Sequence, residues 1–340
     1  MAYVLRILYR NIKGFFMNSS SKLYVINLLC SAILLVVLLP GLALQKESKK
    51  KLAFVMIPKG VNPYFDPCFE GFHDAGLKYN VNVEMISPPK FDLALQVEVI
   101  EDQIAQKVDG IAISAVQDSG LSASIDKAIK SGIKVITFDA PAPSTRAMSY
   151  VGTDNYQAGY QAGKKLISLF RQKSGEIAVL QGGIEAANLN LRVKGLKQAL
   201  SDMAPNIRIM AVEDTTSDYA IAVSKTEELI KNYQKLKAII AVSAYEGPAA
   251  ALAVKECGRK DIIIGGFDDL KDTLKGIRNG DISFTIVQST YKMGWLSFIL
   301  LLDLVNNKSV PQVVDTGIVI VDKNNIDSYA LEMRKIIDKY

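Results

Sequence analysis

From Leu52 onward the hydrophobic positions of this chain alternate between two spacings. Short apolar runs at 52–57, 81–86, 109–113 and 133–138 are bounded by turn signals and rich in β-branched residues, as in "KVITF", so they predict strands. Between them Val97, Ile100, Ile104 and Val108 recur at helical spacing and predict a helix over 92–107, with others near 65–79 and 121–131. The pattern then repeats, with strands at 176–180, 207–212, 237–242, 261–265 and 283–287 and helices near 188–203, 218–233, 247–257 and 269–279. Two successive βαβαβα arrays predict an α/β fold of two Rossmann-like lobes, each a parallel sheet with helices on both faces.

The segment before this alternation follows a different rule. Residues 23–44, "LYVINLLCSAILLVVLLPGLAL", carry no charge and are long enough to span a bilayer. As a signal peptide the stretch has a basic leader, an apolar core, a break at Pro40-Gly41 and small residues Gly41 and Ala43 before a cut at Leu44. As an N-terminal membrane anchor it stays, with residues 1–22 in the cytoplasm by the positive-inside rule. The long leader favours the anchor. A start at Met17 would shorten it to an ordinary secretory one, and cleavage is the reading adopted. Cys30 lacks the small preceding residues of a lipoprotein site. The basic linker at 45–51 follows, and either reading delivers the remainder outside the cytoplasm, periplasmic or extracellular, secreted or tethered by 23–44.

Composition narrows the chemistry. At 340 residues, 49% hydrophobic and 22% charged, the chain is globular and long enough for two lobes. A net charge of +5, much of it at Arg6, Arg10, Lys13, Lys22 and Lys49 to Lys51, is too mild to argue for nucleic acid. Cys68 and Cys257 sit in unrelated segments without metal-ligand spacing, and a single histidine, His73, leaves little material for a metal site or a triad. No phosphate loop, nucleophile elbow or H-E-x-x-H helix is present, and "QGGIEAAN" lacks dinucleotide-loop spacing. Adjacent Asp268 and Asp269 should diverge, one capping or facing a ligand and the other solvated. An enzyme is not expected, nor any cofactor or metal.

Open parallel sheets bind ligands at the carboxyl ends of their strands. There the sequence sets Asn62, Tyr64 and Phe65 on an exposed tip after the first strand. Asp139 follows "KVITF", and Gln181 leads through two glycines to Asn188 and Arg192. Ser243 and Tyr245 follow "AIIAV", Asp268 follows "IIIGGF", and Gln288 follows "SFTIV". Carboxylates, amides and an arginine converging with aromatic rings suit neutral sugars, which present paired hydroxyls and an apolar face. Each residue also has a plainer reading. Asn62-Pro63 is a turn signal, Tyr64 and Phe65 suit a helix start, Asp139 suits a loop cap, and Arg192 can pair with a carboxylate such as Glu185.

In order along the chain, "NPYF", "KVITFDAP", "YVGTDNYQAGYQAG", "NLRVKGLKQAL", "IIIGGFDD", "GDISFTIVQST" and "TGIVIVDKNNIDSY" resemble the type I periplasmic binding proteins of the ribose-binding-protein-like group. The resemblance spans 52 to about 330. It implies that Asn62, Tyr64 and Phe65 stack on and hydrogen-bond a sugar, that Asp139 and Arg192 are the carboxylate and arginine of the two lobes, and that Asp268 and Gln288 are further polar ligands. Asn188, Ser243 and Tyr245 are additional candidates. Three departures from ribose binders change the lining: Ala140 replaces an arginine, Ser217 replaces an aromatic, and "SAYEGP" replaces an asparagine-bearing stretch. D-ribose is thereby disfavoured, leaving a larger sugar, a sugar derivative or an autoinducer-type furanose.

The resemblance further implies a first lobe at 52–153 plus 289–317 and a second at 154–288 plus 318–340, with hinge crossings near Thr153, Ser289 and Gly317. The implied function is a monomeric solute-binding protein that captures a sugar or sugar-like molecule for an ABC permease in the membrane. The alternative is a tethered sensor presenting its closed form to a kinase or chemoreceptor. A transcription regulator with these lobes would need a DNA-binding headpiece where the apolar run stands.

Overall fold

The structure is a computed structural model and describes residues 51–170 and 174–329. The apolar stretch at 23–44, Cys30, the linker up to residue 50 and the tail from residue 330 lie outside the described residues.

The first sheet contains β1 (Ala53–Ile57), β2 (Asn82–Met85), β3 (Gly110–Ile113), β4 (Lys134–Phe138), β5 (Tyr150–Gly152) and β11 (Val313–Asp315), in the order β11-β5-β4-β3-β1-β2. All its pairings are parallel. The second contains β6 (Ser174–Gln181), β7 (Asn206–Asp214), β8 (Leu236–Ala241), β9 (Ile263–Phe267), β10 (Phe284–Gln288) and β12 (Ile318–Asp322), in the order β12-β10-β9-β8-β6-β7. Strand for strand the two sheets correspond. They differ at one edge, where β12 runs antiparallel to β10. Helices cover both faces of parallel sheets, which is why the central strands β1, β3 and β4 are buried along nearly their whole length instead of alternating.

Helices follow the strands: α1 (Asp66–Tyr79), α2 (Leu93–Gln106), α3 (Ser122–Lys130), α4 (Asn155–Leu169), α5 (Ala187–Met203), α6 (Tyr219–Asn232), α7 (Glu246–Glu256), α8 (Lys271–Asn279) and α9 (Thr290–Val305). Local chemistry sets several of their starts. Asp92, Asp154 and Asp218 are N-caps whose carboxylates accept backbone N–H groups of the first turn of α2, α4 and α6.

The predicted strands and helices appear close to their expected bounds, with some additions. Periodicity did not mark α4, α9, β5, β11 or β12. The first sheet's β5 and β11 are too short to show a period, and α9 is apolar on most of its circumference because it is buried. The strand expected at 261–265 lies at Ile263–Phe267. Its glycines do not end it, since a Cβ on Gly265 would stand 2.5 Å from the Phe284 ring and the close approach requires glycine there.

Passage from one sheet to the other occurs at 153–154, at Ser289 and at 316–317. The first and third of these places are tied together. Asp315 Oδ1 accepts from the backbone N–H of Asp154 (3.1 Å) and of Gly317 (2.9 Å), and Thr316 N–H donates to Gly152 O at 2.8 Å. Gly317 has φ +79°, a backbone conformation that suits glycine.

Candidate functional site

Between the carboxyl ends of the two sheets lies a small cavity of about 40 Å³, lined from both sides. Every site residue expected from sequence lines it: Asn62, Tyr64, Phe65, Asp139, Asn188, Arg192, Ser243, Tyr245, Asp268 and Gln288. So do Lys59 and Phe91, which sequence reasoning passed over, and Ser217. Ala140 is fully buried and does not line the cavity, so it leaves no space there for a larger ligand.

The first sheet supplies a rigid carboxylate. Asp139 follows β4 with φ +56°, in the left-handed region that aspartate tolerates better than most residues. Its Oδ1 accepts from the Tyr64 hydroxyl at 2.9 Å and its Oδ2 from Ser114 Oγ at 2.6 Å, with Lys59 Nζ 3.6 Å from Oδ2. The tip carrying Tyr64 and Phe65, expected to be exposed, is buried. The Phe65 ring makes T-shaped contacts with Tyr64 and with Phe138, at centroid separations of 5.0 and 6.0 Å. Asn62 has the turn role that its Asn-Pro context suggested, accepting from Tyr64 N–H to start the short 3-10 turn Pro63–Phe65, while still facing the cavity.

The second sheet supplies a less saturated set. Asp268 follows β9 with φ +64° and is 4% exposed. Gln288 Nε2 donates to its Oδ1 at 2.8 Å. Burial pushes this carboxyl up to about 7, opposed by Arg192 and by the Gln288 hydrogen bond. Asp268 is not a helix cap, because α8 is preceded by Leu270 and has no side-chain cap. Its neighbour Asp269, expected to be solvated, is partly buried and accepts from the Tyr329 hydroxyl at 2.7 Å.

Arg192 is 1% exposed and lies with its guanidinium 4.4 Å from the Phe267 ring centre. Nε donates to Asn155 Oδ1 and Nη1 to the Val242 carbonyl, both at 2.8 Å. Glu185 is not its partner; that carboxylate faces Gln117 at 3.5 Å. Two buried atoms at this end of the cavity have no protein partner: the Arg192 Nη2 donor and the Gln288 Oε1 acceptor.

One contact spans the cleft inside the cavity. Lys59, 4% exposed, donates from Nζ to Asn188 Oδ1 at 2.9 Å. Burial lowers its pKa, with Asp139 opposing the shift. Sequence reasoning missed Lys59 because a lysine two residues past a strand reads as solvated surface. It missed Asn155 and Tyr150 although both stand in "YVGTDNYQAG". Asn155 Nδ2 donates to the Thr153 carbonyl (2.9 Å) and the Tyr150 hydroxyl (3.1 Å), and that hydroxyl donates to the Asp139 carbonyl (2.9 Å), a relay from Arg192 to Asp139 through the first crossing.

Donors and acceptors both line this space, and no activated nucleophile joins them among the described residues. The Cys68 thiol packs in the core with its pKa pushed well up by burial. Two parallel-sheet lobes meeting at a polar and aromatic cavity define a bilobal binding protein. The sequence profile of the periplasmic binding protein domain matches residues 53–309, and the chain belongs to that family. It is a binding protein and not an enzyme, and it acts outside the cytoplasm. The xylose/arabinose-binding protein XylF of Sulfolobus acidocaldarius is 26% identical over 291 residues, 80% of this chain and 71% of that protein. A solute-binding protein of Burkholderia graminis, solved with D-arabinose, superposes with a TM-score of 0.79 at 34% identity, covering 82% of this chain and 98% of that one. A chain of the XylFII–LytSN complex superposes with a TM-score of 0.76 at 28% identity, covering 81% of this chain and 98% of that one.

Proposed function

We propose that the chain captures a sugar or sugar-like molecule between its lobes and hands it to an ABC importer. The reading rests above all on Arg192 and Gln288, two residues that line the interlobe cavity and carry a buried donor, Nη2, and a buried acceptor, Oε1, without a protein partner. A buried polar group without a partner is costly, and a polyhydroxylated ligand can satisfy both. Asp139, Asp268, Asn188 and Ser243 add hydrogen-bonding groups, and Tyr64, Phe65 and Tyr245 add aromatic faces. The lobes are 52–153 plus 289–317 and 154–288 plus 318–340, closing about the junctions at Thr153, Ser289 and Gly317. The protein acts as a monomer in the periplasm or at the cell exterior, with 23–44 as its export signal or tether. The relatives known for xylose, arabinose or D-arabinose support the ligand class.

A thermal-shift screen of the full chain, in mild detergent on account of 23–44, against pentoses, hexoses and their reduced forms tests this. A ligand that binds only the folded state raises the melting temperature by mass action. No shift with any sugar in the screen would remove the reading. A second reading, a tethered sensor that presents its closed form to a partner protein such as a kinase or chemoreceptor, is favoured by the likeness to a chain of the XylFII–LytSN complex. Loss of sugar uptake on deletion supports the importer, and loss of a sugar-dependent response with uptake intact supports the sensor.

A further inference from the structure

Beside the site cavity lies a second one of about 220 Å³. The two share Lys59, Phe91 and Leu189, so they adjoin at these residues. Its remaining walls come from both lobes: Leu93, Val116 and Gln117 from the first, and Gly182 to Ala186, Asp214 and Thr216 from the second. Phe91, Leu93, Val116, Ile184, Ala186 and Leu189 make most of this lining apolar, with Glu185 and Gln117 meeting across the cleft.

The wall on the second lobe is held in an uncommon shape. Thr216 and Ser217 are consecutive non-glycine residues in the left-handed region, φ +50° and +56°. For a β-branched threonine this is a genuine outlier, of the kind that concentrates at ligand clamps. Ser217 Oγ donates to the Gly182 carbonyl at 2.9 Å, and a Cβ on Gly182 would stand 2.3 Å from that oxygen, so the glycine is needed for the wall to close.

We infer that the two cavities form one composite site, and that the ligand is a sugar bearing an apolar substituent about the size of a single ring, sugar in the polar cavity and substituent in the apolar one. This rests on the sugar-binding reading and names its substrate class. Room and polarity are distributed accordingly. The polar groups converge on about 40 Å³, while the space lies next door, at about 220 Å³, behind mostly apolar walls. An apolar protein cavity of about 150 Å³ suffices for benzene. Lys59 is the movable part of the divide: its unbranched stem can rotate aside, exchanging the Asn188 contact for one with the ligand.

Isothermal titration of the full chain with arabinose, xylose, glucose and galactose, each beside its α- and β-4-nitrophenyl glycoside and beside xylobiose, cellobiose and lactose, tests the inference. At least one aryl glycoside should bind about tenfold or more tighter than its parent sugar. Val116→Trp and Ile184→Trp, which fill the second cavity from opposite lobes, should each erase that gain and leave the parent sugar's affinity unchanged. Sugars that bind as well as their aryl glycosides overturn the inference alone, as does a gain that survives in both variants. A gain confined to the disaccharides overturns the apolar class. If neither sugar nor glycoside binds, the sugar-binding reading fails and this inference falls with it.

Discussion

Asp139 and Asp268 end corresponding strands, β4 and β9, each directly after a phenylalanine and each in the left-handed conformation. The two lobes thus offer the same group from the same place in the fold, yet they hold it differently. Asp139 is engaged on both oxygens by Tyr64 and Ser114, whereas Asp268 has one side-chain donor, Gln288. Asp268→Asn should therefore weaken sugar binding by an order of magnitude or more, since bonds to a charged group contribute about 1.5–3 kcal/mol each, while the ligand-free melting temperature holds or rises. Asp139→Asn should lower that melting temperature, because it leaves Lys59 without its buried counter-charge. Calorimetric melting and titration of both variants separate the two roles.

The raised carboxyl of Asp268 predicts a pH dependence. In the unfolded chain it releases its proton near 3.8 and in the folded protein near 7, so between these values the folded state holds the extra proton. The contribution of Asp268 to stability should then fall as pH rises from about 4 to about 7 and level off above, read as the difference between the wild-type and Asp268→Asn profiles, since the raised Glu246 carboxyl acts in the same sense in both. The facing groups are Arg192, Gln288, Asp269 and Asp139. A sugar donating to Asp268 favours the carboxylate, so binding should expel a proton and tighten as pH rises toward 7. Titration near about pH 6.5 in two buffers of different ionisation enthalpy measures that proton.

Gly159→Ala should damage the site from a distance. A Cβ there would lie 1.9 Å from the backbone oxygen of Arg192, where α4 crosses α5. Relief requires moving the turn that carries Arg192. Overpacking of this kind costs about 1–3 kcal/mol, and affinity should drop along with the melting temperature. Thermal unfolding and titration of the same sample check both.

Lys59→Met should loosen the ligand-free protein. The Lys59 to Asn188 bond is the contact across the cleft inside the site cavity, and losing a charged hydrogen bond of about 1.5–3 kcal/mol shifts an open–closed balance by about tenfold or more. Small-angle scattering without sugar should give a larger radius of gyration for the variant. An unchanged radius would mean that this bond does not hold the lobes together.

Much of this was legible in the sequence because parallel sheets write themselves plainly. Their strands are short apolar runs and their ligand groups follow those runs, so Asp139 and Asp268 could be named from "ITFDA" and "GGFDD" alone. What stayed hidden has physical causes. The strands β5 and β11 are too short to show a period, and the apolar circumference of α9 gives its helix no polar face. Lys59 was missed because sequence does not tell a buried lysine from a solvated one, and the solvated case is far commoner. Asn155 reaches the site through Tyr150 and Arg192, and its bond with Arg192 is a long-range contact that no local pattern encodes. The burial of Tyr64 and Phe65 likewise comes from residues distant in sequence, Phe138 and Met293.

Two of the three junctions between the lobes are stitched to one another, with Asp315 holding Asp154 and Gly317 and with Thr316 held by Gly152. A single linker would act as a swivel. Three crossings, two of them tied, would act as a flexure, which bends more readily about one line than about any other. A sugar-driven closure about such a flexure would end in the same relative pose, whatever the sugar. A partner docking across both lobes meets one fixed outline and needs no view of the cargo.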